Sequence, residues 1–242
     1  MSFYLLAGIY DQINGSAYLP YADYLEESFK LADIDVKEVL DLGCGTGGIT
    51  ALLADRGYDM IGLDISPDML NLARERNYGK NTLLLCQDMC EFELYGTVQA
   101  IYSSFDCLNY ITENKDLKQV FVLARNYLEA GGLFIFDVNT EYRYNNIYNE
   151  KSYVYEFDEL LAIWRSTYDE EKSECEFEID IFSEEADGSY SRYTEIQTQK
   201  LHTHEVIMAS ACGFELISVS GGKGFDGCEE KEKNYYIFKK VD

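Results

Sequence analysis

The sequence predicts an α/β protein: a doubly wound, mostly parallel seven-stranded sheet, with a small antiparallel β lid inserted after the fifth strand. Three observations carry this expectation. From Val36 to Asn139, short and nearly continuous apolar runs alternate with helix-length amphipathic segments, the pattern of parallel strands joined by helical crossovers. The decapeptide Asp41–Thr50, D-L-G-C-G-T-G-G-I-T, sits at the first strand-to-helix junction, and its glycines let the backbone turn sharply and come close to a ligand. From about Tyr153 to Ile196 the pattern changes to apolar–polar alternation with a hairpin signal at Asp187-Gly188.

Taken in order, the strands of the parallel part are Glu38–Leu42, Asp59–Asp64, Thr82–Cys86, Val98–Ser103 and Leu133–Val138. Their apolar character predicts strands covered on both faces. Gly57 stops the first crossover helix, and Ser66-Pro67-Asp68 opens the next with an N-cap followed by proline. A third helix spans Leu117 to Leu128 and ends at Gly131-Gly132. The alternating segments Tyr153–Phe157, Leu160–Tyr168, Cys175–Phe182 and Tyr190–Ile196 supply the lid. A short helix, Thr203–Cys212, is stopped by Gly213; Phe214–Val219 and Asn234–Lys240 then close the sheet as an antiparallel pair, with Gly221, Gly222 and Gly224 between them. Residues 1–140 and 200–242 are thus expected to form the core domain and 141–199 the inserted lid.

The 242 residues suit one large domain carrying an insertion. A formal charge of −24, from 44 acidic and 20 basic side chains, repels phosphate backbones and argues against nucleic acid as a partner. The same field tolerates a cationic ligand. No Lys or Arg precedes Lys30, so the basic start of a secretory signal is missing, and no apolar run approaches the ~18 residues of a membrane span. Seven cysteines without a C-x-x-C pair read as buried reduced thiols in a cytoplasmic protein, and no metal-ligating set is recognisable.

Four features fall at the carboxyl ends of successive strands, where sheets of this type bind ligands. They are Asp41 with Gly43, Gly45 and Gly47; Asp64, ending Ile61-Gly-Leu-Asp; Gln87-Asp88-Met89; and Ser103-Ser104-Phe105-Asp106. Gly43, Gly45 and Gly48 also satisfy the dinucleotide fingerprint, with Asp64 as its ribose acid, which keeps a nicotinamide-dependent oxidoreductase as an alternative. Asp41 weighs against it, because a carboxylate sits badly beside a pyrophosphate and well beside a cationic amino group. Asp88 and Met89 have no role in it either.

In the order of these features the chain resembles the Rossmann-like class I S-adenosylmethionine-dependent methyltransferases, closely over Val36–Val138. Tyr102–Ile111 and the aromatic start, Tyr10-Asp11 with Tyr18, Tyr21 and Tyr24, resemble the small-molecule members acting on glycine-like amines and amino sugars. The resemblance implies that Asp41 and the glycine turn hold the methionine moiety, Asp64 the ribose, and Asp88 with Met89 the adenine of S-adenosyl-L-methionine. It implies further that Tyr10, Tyr18 and Tyr21 lie on a helix closing over the cofactor; Ile65, Met69 and Ser104 complete the expected cofactor set. Methyl transfer to nitrogen or oxygen of a small acceptor then needs alignment, exclusion of water and, where the nucleophile carries one, removal of a proton. Methylation of a modified tRNA base, and cofactor binding without catalysis, are compatible with the same motifs.

Tyr10, Asp106 and Asn109 are the candidates for contacting the nucleophile. His202 and His204 read as surface or capping residues before they read as bases. Asp106 is as well suited to capping the turn after it as to orienting an amine. Trp164, with Tyr153, Tyr155 and Phe157, is placed to line a pocket or to pack under the lid, and the 21 tyrosines suit an aromatic cleft for a cation or planar ring.

Overall fold

The computed structural model describes residues 4–157, 160–185, 187–221 and 229–241. Its strands are β1 (Glu38–Leu42), β2 (Asp59–Asp64), β3 (Thr82–Cys86), β4 (Val98–Ser103), β5 (Leu128–Asn139), β6 (Lys151–Glu156), β7 (Leu160–Asp169), β8 (Glu174–Glu184), β9 (Tyr190–Lys200), β10 (Phe214–Gly221) and β11 (Lys233–Lys240). Seven of them form one sheet in the order β10-β11-β5-β4-β1-β2-β3. Strands β1 to β5 run parallel to one another, and β11 runs antiparallel to β5 and to β10. Strands β6 to β9 make a separate four-stranded antiparallel meander. The predicted fold class is the one observed.

The helices are α1 (Tyr4–Phe29), α2 (Gly48–Asp55), α3 (Pro67–Arg76), α4 (Asn114–Tyr127), α5 (Glu141–Arg143), which runs on into a π-helical turn Tyr144–Tyr148, and α6 (His204–Ser210). Ser66 caps α3 by accepting the Met69 amide at 3.3 Å, with Pro67 in the first position. Helix α4 buries Leu117, Val120, Phe121 and Ala124, one face at three- and four-residue spacing.

Period-two alternation in the central strands divides the core. Phe134 and Phe136 of β5 point with Tyr236 and Phe238 of β11 toward α4 and α6. Their neighbours Leu133, Ile135, Tyr235 and Ile237 point the other way, against Tyr21 and Leu25 of α1. A third cluster, Phe177, Ile179 and Ile181 with Ile9 and Tyr144, ties the meander to α1 and the π turn.

Three sequence expectations need correction. The third crossover helix ends at Tyr127, and Leu128 is already extended and paired with Val98. Gly131 and Gly132 therefore lie within β5 rather than capping the helix. At Gly132 β5 comes so near β4 that a Cβ would stand 2.7 Å from the Gln99 carbonyl oxygen. Strand β3 is the sheet edge, so Leu83 is half-exposed and the strand is not covered on both faces. All six described cysteines are free, but only Cys44 and Cys175 are buried; Cys86 and Cys212 are exposed. Cys228 and the turn glycines Gly222 and Gly224 lie outside the described residues. No helix among the described residues is long and apolar enough to cross a membrane.

Candidate active site

The carboxyl ends of β1 to β4 open into a single cavity of about 680 Å³ that continues beneath the inner face of the meander. The first half is built by the turns after those strands. Gly43 has a left-handed backbone (φ 88°), and a Cβ there would fall 2.2 Å from Cys107 Sγ, so the position requires glycine. The Gly43 and Cys44 amides both donate to the Leu63 carbonyl at 2.8 Å, which locks the turn to β2. Asp64 accepts the Gly45 amide at Oδ2 and the Ser66 amide at Oδ1, each at 2.8 Å. Burial pushes its carboxyl above the usual range, and these amides pull against that shift. Asp64, Ile65, Met69, Asp88, Met89, Ser104, Gly43, Gly45, Tyr10 and Asp106 all lie on the cavity wall.

Four residues expected at the site lie behind it. Asp41 is buried under the glycine turn, where Oδ2 accepts Thr50 Oγ1 at 2.5 Å and Tyr102 OH at 2.6 Å. Its Oδ1 is buried without a partner. Tyr18 packs on the turn from outside: a Cβ at Gly48 would meet its ring at 2.3 Å. Tyr21 is fully buried and donates to Asp137 at 2.5 Å. Asn109 is spent on structure, donating to the Lys200 carbonyl at 2.8 Å and accepting the Asn139 amide at 3.0 Å. These residues shape the wall from the layer beneath it.

Helix α1 is fastened over the turn by charge. Asp11 forms a salt bridge with Arg76 of α3 and accepts Tyr18 OH at 2.7 Å and Thr46 Oγ1 at 2.5 Å, while Arg76 donates to the Thr46 carbonyl at 3.2 Å. The guanidinium and the two hydroxyls hold the Asp11 carboxyl below the usual range, against the desolvation that raises it.

At the end of β4, Phe105 and Asp106 have consecutive left-handed backbones, φ 55° and 52°. Two non-glycine residues so held are strained, and strain of this kind gathers at functional sites. The Asp106 side chain does not cap the turn that follows. Its Oδ1 pairs with Lys233 Nζ at 2.8 Å, and its Oδ2 accepts Gln199 Nε2 at 2.6 Å. Lys233, 2% exposed, also pairs with the buried Asp137 at 2.8 Å, and Asp137 in turn accepts the Asp106 amide. Sequence reading missed Lys233, Asp137, Gln199 and Arg143. Lys233 sits in the acidic run Glu229-Glu230-Lys231-Glu232-Lys233, which reads as a solvated surface.

The histidines do not reach the cavity wall. His202 is buried rather than on the surface, with Nε2 3.1 Å from the Leu108 carbonyl, and burial depresses its pKa. His204 stacks on Tyr236, its Nδ1 3.1 Å from the hydroxyl.

The features suited to an amino-acid sulfonium nucleoside are a close-approach turn without side chains, an acid at the end of β2 and a buried carboxylate oxygen lacking a partner. Burial pushes the Asp41 carboxyl up to about 7, with Thr50 and Tyr102 opposing the shift. Above about pH 4 the unfolded chain ionises this group while the native state keeps its proton to about pH 7. In the ligand-free protein its contribution to stability therefore falls as pH rises through that window. Asp41→Asn is expected to flatten this part of the profile and to stabilise the ligand-free protein at pH 8. Urea unfolding at pH 5 and pH 8 checks it; parallel profiles for variant and wild type would refute the assignment.

A family profile described as a methyltransferase domain matches residues 39–132. A candidate methyltransferase of Geobacillus sp. (strain WCH70) is 25% identical over 249 residues, covering 99% of this chain and 100% of that one. An N,N-dimethyltransferase of Streptomyces venezuelae, named for dTDP-3-amino-3,4,6-trideoxy-alpha-D-glucopyranose, is 29% identical over 121 residues, 48% of this chain and 50% of its own. Among solved structures, an S-adenosylmethionine-dependent methyltransferase from Clostridium acetobutylicum ATCC 824 superposes with a TM-score of 0.84 at 25% identity, covering 98% of both chains. With the glycine turn, the strand-end acids and the sheet order already described, these likenesses make the chain an S-adenosylmethionine-dependent methyltransferase of the class I fold.

Proposed function

We propose that the protein methylates a nitrogen or oxygen of a small-molecule acceptor bound between the core sheet and the meander. The observation that carries this reading is the continuity of the cavity. One wall is the glycine turn and the strand-end acids, the other is Tyr148, Tyr153, Tyr155, Trp164 and Phe177, and Asp106 lies between them. Its volume of about 680 Å³ is within the ~300–1,000 Å³ of small-molecule sites. In this reading residues 1–140 and 200–242 carry the cofactor and 141–199 the acceptor.

Gly43 and Gly45 receive the methionine part of the cofactor, with Asp41 behind them supplying negative potential to its amino group. Asp64 takes the ribose hydroxyls. Asp88 and the Met89 amide read the adenine, which Ile65 and Met69 flank, and Ser104 and Tyr10 border the methionine end. Tyr18 and Tyr21 act from outside by holding α1. Bound cofactor supplies an electrophilic methyl group on a positively charged sulfur. The residues of the chain hold the nucleophile in line, keep water out and take up the proton it releases. In that displacement the chain would hold the acceptor's lone pair in line with the methyl carbon and the leaving sulfur, and the released proton would pass to Asp106 or to solvent. Asn109 assists at one remove by fixing the turn beside Asp106.

The test is transfer of labelled methyl from S-adenosylmethionine to a panel of small amines and hydroxyl compounds, with tRNA carrying its native modified bases as a separate arm. Label in small molecules that is lost in Asp106→Asn supports the reading. Label in tRNA alone would replace it with methylation of nucleic acid.

A further inference from the structure

The acceptor half of the cavity bears on which molecules enter it. Tyr153 stands directly opposite Trp164 across β6 and β7, and Ser166 opposite Phe177 across β7 and β8, so the rings share one face of the meander. They brace one another edge to face, Tyr155 with Trp164 at 5.6 Å and Tyr148 with Phe177 at 5.0 Å. Braced rings offer π surface at little entropic cost, and π surface attracts cations.

The charges around them point the same way. Two cations line the cavity among the described residues, Arg143 and Lys233, and both are committed within the protein. Arg143 pairs with Glu232 at 3.2 Å and donates to Tyr148 OH at 2.8 Å. Lys233 bridges Asp106 and Asp137. In formal charge this cluster holds three carboxylates against two cations, one negative charge in excess. A phosphate or carboxylate entering here must break one of these pairs and leave a buried carboxylate exposed to the new anion. Recognition of such groups instead takes open arginine forks, lysines or helix N-termini.

We propose that the acceptor is an amine with an apolar or aromatic body and no phosphate or carboxylate group, bound by the aromatic wall with its nitrogen toward Asp106. This rests on the reading of the cavity as a methyl-acceptor site, and it separates the protein from enzymes whose acceptors carry a nucleoside diphosphate. Asp106 accepts one hydrogen bond at each oxygen from Lys233 and Gln199, and a carboxylate offers about four lone-pair sites, so it retains capacity for an N–H. The overall charge of −24 draws such a molecule toward the protein and repels its anionic counterpart.

The experiment uses the full chain saturated with S-adenosylhomocysteine and three probes that share a benzene ring and differ in charge, benzyltrimethylammonium, benzyl alcohol and benzoate, followed by calorimetry. The cation is expected to bind about tenfold or more tighter than benzoate, with benzyl alcohol between them. Trp164→Ala should weaken the cation by about tenfold and leave S-adenosylhomocysteine affinity unchanged, and Trp164→Phe should restore most of the loss. Benzoate binding as tightly as the cation, no binding of any probe, or a cation affinity indifferent to Trp164→Ala would each overturn the proposal. Failure of S-adenosylhomocysteine itself to bind would instead remove the methyltransferase reading on which the proposal stands.

Discussion

Replacing Lys233 with methionine is expected to lower stability by about 3–5 kcal/mol, the usual cost of removing one partner from a buried ion pair. The ammonium is 2% exposed and serves two carboxylates at 2.8 Å, one of them fully buried. Methionine fills much of the space but supplies no charge, so Asp137 and Asp106 lose the cation they share. For a chain of this size the loss corresponds to a fall of roughly 10 °C in Tm. Asp137→Asn in the Lys233→Met background should recover part of it, because one orphaned charge is then gone. Equilibrium urea unfolding of the two variants decides the matter. A loss below about 1 kcal/mol would mean that the cluster is solvated and does not hold the turn at Asp106.

Asp64→Ala is expected to weaken S-adenosylhomocysteine binding by about 100-fold while leaving the far-ultraviolet circular dichroism unchanged. The magnitude follows from losing hydrogen bonds to a charged acceptor, about 1.5–3 kcal/mol each before compensation. Part of the effect is indirect, since Asp64 also receives the Gly45 and Ser66 amides and so sets the shape of the glycine turn. Asp64→Asn separates the two contributions: its amide oxygen keeps one backbone bond while the charge is lost, and its affinity should fall between alanine and wild type. Calorimetry giving wild-type affinity for Asp64→Ala would sink the ribose assignment.

What was legible in the sequence was local. Ser66-Pro67 announces a helix start because the cap bonds an amide three residues on, and Asp187-Gly188 announces a hairpin because Gly188 takes a positive φ. Strand existence was readable from apolar runs, and so was the line of strand-end turns, because parallel topology brings them to one edge. The polar centre of the site was not. Lys233 and Asp137 are 96 residues apart, and Tyr21 meets Asp137 across 116 residues. No spacing rule connects them, and each looks ordinary where it stands. The end of α4 was misplaced for a related reason: Leu128 has good helical character, but its pairing with Val98 decides its conformation. His202, burying a neutral ring against the Leu108 carbonyl, is another result of contacts between distant segments.

Helix α1 and the turn at Asp106 are held by two kinds of fastening that respond differently to ionic strength. The Asp11–Arg76 bridge is about one-third exposed on each side, within reach of mobile ions, whereas the Lys233 cluster lies inside the protein. Raising salt toward 1 M shortens the Debye length to about 3 Å, which screens the first and hardly touches the second. The bridge that fastens α1 over the glycine turn is therefore salt-responsive, and the charge cluster behind the Asp106 turn is not.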